Sequence, residues 1–168
     1  MPVIGYGGKT INTLRLWQAE PVEAFNFELF NNQEYDKAVK NKNEAEAITS
    51  LLYPNDSTKE GKKLRIKQEY FFVGASLQDV IRKYKEKHGS DFSNFSSEYA
   101  FQLNDTHPVL AIPEFIRLLV EHENVSFAKA FRIAKEIFAY TNHTVMSEAL
   151  EKWDVSLMKS VIPQVYNY

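Results

Sequence analysis

Two short stretches decide how this chain reads: Phe101-Gln102-Leu103-Asn104-Asp105-Thr106-His107-Pro108 and Phe138-Ala139-Tyr140-Thr141-Asn142-His143-Thr144. In each, an apolar strand runs out into Asn, a titratable side chain and Thr. Helical patterns over 111–123 and 127–138 lie between them. A long helix over 62–88 precedes the first, apolar on nearly all sides from Tyr70 to Leu77, as a buried helix is. Strand, long helix, strand, two helices, strand predicts an α/β layered fold with a mostly parallel sheet and long helices. Ligands bind such sheets in the crevice at the carboxyl ends of the strands. Asp105, His107 and His143 would then share one cleft, the first two on one side of an extended backbone. The competing reading is local, because Asn, Asp and Thr after a strand are ordinary helix N-caps.

Outward from these stretches the chain reads as a single segment, 1–168, without repeat, low-complexity tract or linker. Alternation over 10–19 predicts a strand, and Phe25, Phe27 and Leu29 a short extended piece. The stretch 34–53 reads as a helix whose middle, Lys40-Asn41-Lys42-Asn43-Glu44, is polar all round. Such a helix projects into solvent or meets a partner. Pro54-Asn55-Asp56-Ser57-Thr58 is a turn-rich break that Gly61 extends, either a gate over a site or a plain helix-to-helix turn. Gly74 inside the long helix calls for a close neighbour. Gly89 suits its C-cap and Ser126 the N-cap of the 127–138 helix. A last helix is expected over 156–161.

Composition narrows the function classes. The 168 residues are 44% hydrophobic and 25% charged, with net charge −2. Low charge and scattered lysines leave no nucleic-acid footprint. No apolar run reaches the ~20 residues of a membrane span, and Met1-Pro2-Val3-Ile4-Gly5 does not read as a signal peptide. The absence of cysteine excludes disulfides, a thiol nucleophile and Cys-ligated zinc, and fits a reducing cytosol. Gly5-x-Gly7-Gly8 lacks the preceding strand and following helix of a dinucleotide fingerprint. Beyond Asp105-x-His107 there is no closely spaced metal-ligand set, so no metal is expected. Arg15, Arg82 and Lys83 are candidates for an anion site, or charges on a solvated helix end. His88 and His122 read as solvated.

Longer motifs carry a resemblance. Asn12-Thr13-Leu14-Arg15-Leu16-Trp17, Leu52-Tyr53-Pro54-Asn55-Asp56 and Glu60-Gly61-Lys62-Lys63-Leu64-Arg65-Ile66-Lys67-Gln68-Glu69-Tyr70-Phe71 come first. Gln102-Leu103-Asn104-Asp105-Thr106-His107-Pro108 follows, then Tyr140-Thr141-Asn142-His143-Thr144 and Glu148-Ala149-Leu150-Glu151-Lys152-Trp153. In that order they resemble the glycogen (α-glucan, maltodextrin) phosphorylase family over nearly the whole chain. The resemblance implies an internal piece of the N-terminal domain, part of a Rossmann-like (GT-B type) layer, with the cofactor-binding C-terminal domain absent. It implies a cytoplasmic, homodimeric glycosyltransferase that splits α-1,4-glucan with inorganic phosphate to glucose 1-phosphate. Its pyridoxal phosphate would sit on a lysine that this chain does not contain, so the isolated chain is expected to be inactive.

Residue by residue, His143 matches the histidine whose backbone carbonyl contacts the sugar. Asp105, His107 and Glu151 match polar residues lining the channel beside it, and Asn55, Asp56 and Ser57 the gate loop. Ser57 stands where the family usually has Asn, and Thr58 where some members have an aromatic. The helix over 34–53 matches the element that packs on the dimer mate. Arg15 and Arg82 match members of a nucleotide-phosphate effector site; Lys83 replaces a second Arg and cannot make the same forked contact. The resemblance gives proton transfer to phosphate groups, so neither Asp105 nor Glu151 is a general acid by position alone. A non-catalytic carbohydrate-binding or assembly module of the same ancestry is the alternative.

Overall fold

The computed structural model describes residues 1–147 and 150–168; Glu148 and Ala149 of the last motif lie outside the described residues. The sequence reads as one segment, but the backbone gathers into two compact units, Met1–Leu52 and Tyr53–Tyr168.

The first unit opens with an antiparallel hairpin of β1 (Pro2–Ile4) and β2 (Ile11–Thr13). The turn between them needs Gly7 and Gly8, both at positive φ, a conformation that glycine adopts without steric cost. The strand expected over 10–19 is therefore only its first third, and Gly5-x-Gly7-Gly8 does have a strand before it, β1, although β2 and not a helix follows. The extended piece at 25–29 is also corrected. Asn26 caps a helix, its Oδ1 accepting from the Leu29 amide at 3.0 Å, and α1 spans Phe27–Asn31. Local capping overrides the alternation, and Phe25, Phe30 and Tyr35 pack as tilted rings. The helix expected over 34–53 breaks at Val39 into α2 (Tyr35–Ala38) and α3 (Lys40–Ser50). The polar middle stands in solvent, with Lys40–Glu44 and Lys42–Glu46 pairs at 3.7 and 3.8 Å.

The second unit is organised by α4 (Lys59–His88), a 30-residue helix. Thr58 caps its start, accepting from the Gly61 amide at 3.1 Å. Gly89 ends it at φ 61°, its amide closing on the Lys85 carbonyl. Ile66, Gln68, Glu69, Val73, Gly74, Leu77, Ile81 and Tyr84 are all buried, so α4 is covered along most of its length. The neighbour that Gly74 called for is Glu114, whose Oε1 lies 3.7 Å from the site of a Cβ. His88 is not simply solvated, since it stacks on Tyr84 and pairs with Glu98.

After a tight turn come α5 (Phe95–Glu98), β3 (Phe101–Asn104), α6 (Ala111–Glu121), α7 (Phe127–Ile137), β4 (Phe138–Thr141), α8 (Val155–Val161) and α9 (Pro163–Tyr166). The expected strands and helices recur with ends moved by one to three residues, and Ser126 does cap α7. β3 and β4 pair in parallel, Phe101 against Phe138 through Asn104 against Thr141. Parallel strands need a long crossover, and α6 with α7 supplies it. The described sheet content is thus one parallel and one antiparallel pair, an α/β arrangement with less parallel sheet than expected.

The core below β3 and β4 is aromatic. Tyr84, Phe92, Phe95 and Phe115 are fully buried, with ring centroids 4.8 to 5.3 Å apart for the closest pairs. Burying one such side chain contributes about 1.5–3 kcal/mol. A smaller cluster of Ile66, Leu157, Ile162 and Val165 fastens α8 and α9 to the first half of α4. Phe71 and Phe72, in the stretch read as buried on nearly all sides, are half-buried.

Candidate functional site

The parallel pairing brings the two decisive stretches together. The ladder runs one step past β3, the Asp105 amide donating to the Thr141 carbonyl at 2.9 Å. His143 follows two residues later, exposed. Asp105 and His143 therefore sit at neighbouring strand ends, as expected. The expected same-side placement of Asp105 and His107 does not hold. Asp105 has φ 57°, a left-handed residue that breaks the two-residue alternation.

His107 instead turns toward α4, into a polar cluster drawn from four segments. Arg65 is its hub. Its Nε donates to Glu69 Oε1 at 2.9 Å, and its Nη2 to Glu151 Oε1 at 2.7 Å. The same Nη2 lies 2.9 Å from His107 Nδ1, which is 3.1 Å from Glu151 Oε1. Nδ1 accepts from Arg65 when bare and donates to Glu151 when it carries hydrogen. Thr106 Oγ1 donates to Glu151 Oε2 at 3.1 Å and accepts from the Glu151 amide at 3.3 Å. Tyr53 closes one side. Its ring meets His107 edge-on, and the Arg65 guanidinium lies 4.7 Å from its centroid, within cation–π range.

The electrostatics follow from burial and one cation. Burial raises Glu69, and a hydrogen bond with Glu151 adds to it; Arg65 opposes both, and the carboxyl is pushed up to about 8. Burial alone would also raise Glu151. Hydrogen bonds with Glu69 and His107, and the charges of His107 and Arg65, outweigh burial and hold Glu151 below the usual carboxylate range. For Arg65 the cost of burial is outweighed by Glu69 and Glu151, which raise it further.

Donor atoms of Glu69, His107 and Glu151 lie within 4.8 Å of one another. The cation that stands among them is the Arg65 guanidinium. No sequence spacing could show this set, because it joins residues 65, 107 and 151. Arg65 and Glu69 were missed as site residues. Their i,i+4 spacing on a helix reads as a surface pair, and the available signal was their place beside buried Ile66 and Gln68.

The turn before α4 borders the cluster. Asn55 Oδ1 accepts from the Ser57 amide at 2.9 Å. The Asn55 carbonyl lies so close to Gly61 that a Cβ there would be 2.1 Å from it. Asp56 joins Lys62, Ser147, Leu150, Glu151, Lys152 and Trp153 around an open hollow of about 490 Å³. Asn55, Asp56 and Ser57 are exposed.

The anion candidates are not assembled by either unit. Arg15, in the first unit, is exposed and donates to the Thr13 carbonyl. Arg82 and Lys83, in the second, share Asp79, at 2.9 and 2.8 Å, and Arg82 also pairs with Glu86. Their charges are spent along α4.

A crossover-linked pair of parallel strands, with a polar cluster and a loop-rimmed hollow at their carboxyl ends, defines an α/β segment whose candidate site lies where sheets of this kind bind ligands. The pattern of the carbohydrate phosphorylase family matches residues 1–168, and the chain belongs to that family. It is 48% identical over 165 residues to glycogen phosphorylase 2 of Dictyostelium discoideum and 49% identical over 170 residues to the human liver glycogen phosphorylase. It is 50% identical over 170 residues to the bovine brain form. Each match covers 97% of this chain, but the chain spans only 16 to 20% of the length of these relatives.

Proposed function

We propose that this chain forms the sugar-side wall of an α-1,4-glucan phosphorylase, an enzyme that splits glucan with inorganic phosphate to glucose 1-phosphate. The observation that carries this is the Arg65–His107–Glu151 cluster beside the β3 and β4 ends, in a chain of the carbohydrate phosphorylase family. A sugar hydroxyl both donates and accepts, and the wall offers guanidinium, imidazole and carboxylate within one hydroxyl's reach. His143 stands past β4, where its backbone carbonyl would face the sugar. A carbonyl dipole there favours positive charge developing at the anomeric carbon. Asp105 and the Asn55-Asp56-Ser57 turn would border the approach. In the whole enzyme the fold would continue as a Rossmann-like, GT-B-type layer, cytoplasmic and homodimeric, with the exposed α2–α3 segment on the dimer mate.

Pyridoxal phosphate belongs to this reading only through the rest of the enzyme. An imine-forming lysine is held desolvated, and no lysine is among the buried charged residues described here, which are Glu69, Glu114 and Arg117. The lysines present do not fit the cofactor. Glycosyl transfer needs sugar, phosphate and proton source in one geometry, and this chain supplies only the first partner's surroundings.

The test is to incubate the chain with pyridoxal phosphate, maltoheptaose and phosphate, alone and with the polypeptide that follows it in its reading frame. Glucose 1-phosphate is expected only with both parts. Release by the chain alone, with stoichiometric imine absorbance, would overturn the reading. Saturable maltoheptaose binding with no activity from the combined parts would favour a carbohydrate-binding module instead.

A further inference from the structure

The cluster around Arg65 holds two carboxyl groups and one permanent cation. Arg65 reaches Glu69 with Nε and Glu151 with Nη2. The Arg65, Glu69 and Glu151 side chains are only 12%, 7% and 16% exposed, so solvent cannot neutralise the charge left over. Carboxylate oxygens of Glu69 and Glu151 lie within 4.8 Å of each other; two carboxylates that close under one guanidinium cannot both stay ionised cheaply, and one proton between them removes the excess.

We propose that Glu69 is a positioning residue: it holds a proton that it shares with Glu151, and this neutral-to-charged carboxyl pair locks Glu151 and His107 against α4. Glu151 is the ionised member. It already accepts from Arg65 and Thr106, which favours its charged form, and Glu69 has only Arg65 among the described groups that donate to it. The groups facing Glu69 are Arg65 from its own helix, Glu151 from the segment after β4 and His107 from the turn after β3. Next to Glu151 stand His107 and Thr106 from the turn after β3. The upward displacement of Glu69, to about 8, and the downward displacement of Glu151 agree with this division.

The consequence for the site is its charge. With the proton in place and His107 neutral, Arg65 and Glu151 cancel and Glu69 is uncharged, so the wall suits an uncharged, hydroxyl-rich ligand. That consequence rests on the glucan reading above; the shared proton does not. As pH rises through Glu69's own range a second carboxylate appears, the pair repels, and the tie between α4 and the two strand-end loops loosens.

The experiment is a pH titration of the full chain labelled with carbon-13 at the glutamate carboxyls. One glutamate is expected to titrate near 8, and its signal to vanish in Glu69→Gln. That variant keeps an N–H donor toward Glu151, so its melting temperature should match the parent near pH 5 and should no longer fall between about pH 5 and 8, the window between the unfolded and folded values of Glu69. Glu151→Gln should lower the Glu69 midpoint by a full pH unit or more, because the carboxylate that retains the proton is gone. All glutamates titrating below pH 6 would overturn the proposal. So would a Glu69 midpoint unmoved in Glu151→Gln, which would leave burial as its sole cause, or a markedly less stable Glu69→Gln near pH 5. Maltoheptaose is titrated separately by amide shifts. Absence of binding with an intact carboxyl titration would strike the glucan reading and leave the shared proton standing.

Discussion

Replacing Arg65 by methionine removes the charge and keeps most of the side-chain length. Three contacts vanish: Glu69 at 2.9 Å, Glu151 at 2.7 Å and His107 at 2.9 Å. The Tyr53 ring also loses its cation. Breaking a buried ion pair from one side costs about 3–5 kcal/mol, chiefly through the charge left behind. The lower end applies, because Glu151 keeps some exposure and Glu69 is close to neutral. The lost cation–π contact adds about 0.5–1 kcal/mol, for a total of about 3–4 kcal/mol. At roughly 2–4 °C per kcal/mol for a chain of this size, the melting temperature should fall by about 6–16 °C. Urea unfolding followed by far-ultraviolet circular dichroism measures the loss directly. Its pH dependence carries a sign. Arg65 helps hold Glu151 below the usual carboxylate range, a contribution present above that group's unfolded value and lost as pH falls through its folded one. The deficit of Arg65→Met should therefore shrink toward acid. Arg65→Lys should recover part of the loss, since an ammonium cannot fork between two carboxyls. A loss below about 1 kcal/mol at neutral pH, or a deficit that grows as pH falls, would refute the view that Arg65 is the hub of this cluster.

Gly61→Ala should disrupt the turn at Asn55, whose carbonyl lies 2.1 Å from the site of the new Cβ; a cost of about 1–3 kcal/mol is expected, with amide shift changes centred on 55–57. Phe95→Ala empties the centre of the aromatic core, where Phe95 is fully buried, and should cost about 3–5 kcal/mol in urea unfolding. Asp154→Ala removes the oxygen that accepts from the Ser156 and Leu157 amides and should lower the helicity of α8. The Ser156 hydroxyl, with those two amides, holds Asp154 below its ordinary range, so its contribution should persist above that range and fade as pH falls through the lowered value.

What the sequence made legible is what local patterns encode. The apolar surround of Tyr70–Leu77 marks α4 as a buried helix, and Gly89 and Ser126 mark helix ends by their own chemistry. What it hid depends on pairing between distant segments. Arg65 and Glu69 look like any i,i+4 surface pair until Glu151, 86 residues away from Arg65, closes over them. In the first unit, alternation at Phe25, Phe27 and Leu29 suggested extension, and one Asn26 cap turned the stretch helical. Arg82 and Lys83 looked available to an anion until Asp79, one turn earlier on α4, took both.

The strand ends show most closely how far likeness in sequence can be carried. The two stretches align by eye on Asn104 and Asn142, with Thr and His in attendance. The ladder pairs Asn104 with Thr141, one residue out of phase with that alignment. A one-residue slip in a strand exchanges its faces, so the like-named residues are not equivalent in the site. The register is set earlier, by Phe101 against Phe138, whose rings stack at 5.1 Å, and by the Gln102 amide reaching the Thr141 hydroxyl at 2.6 Å. Asp105 then turns left-handed while Asn142 continues from β4. From one starting pattern the first strand end sends His107 back to Arg65 on α4, and the second leaves His143 exposed beyond the sheet. The resemblance of the two ends picked out two strand ends that do lie side by side; the out-of-phase pairing is what gave their histidines different surroundings, one against Arg65 and one exposed.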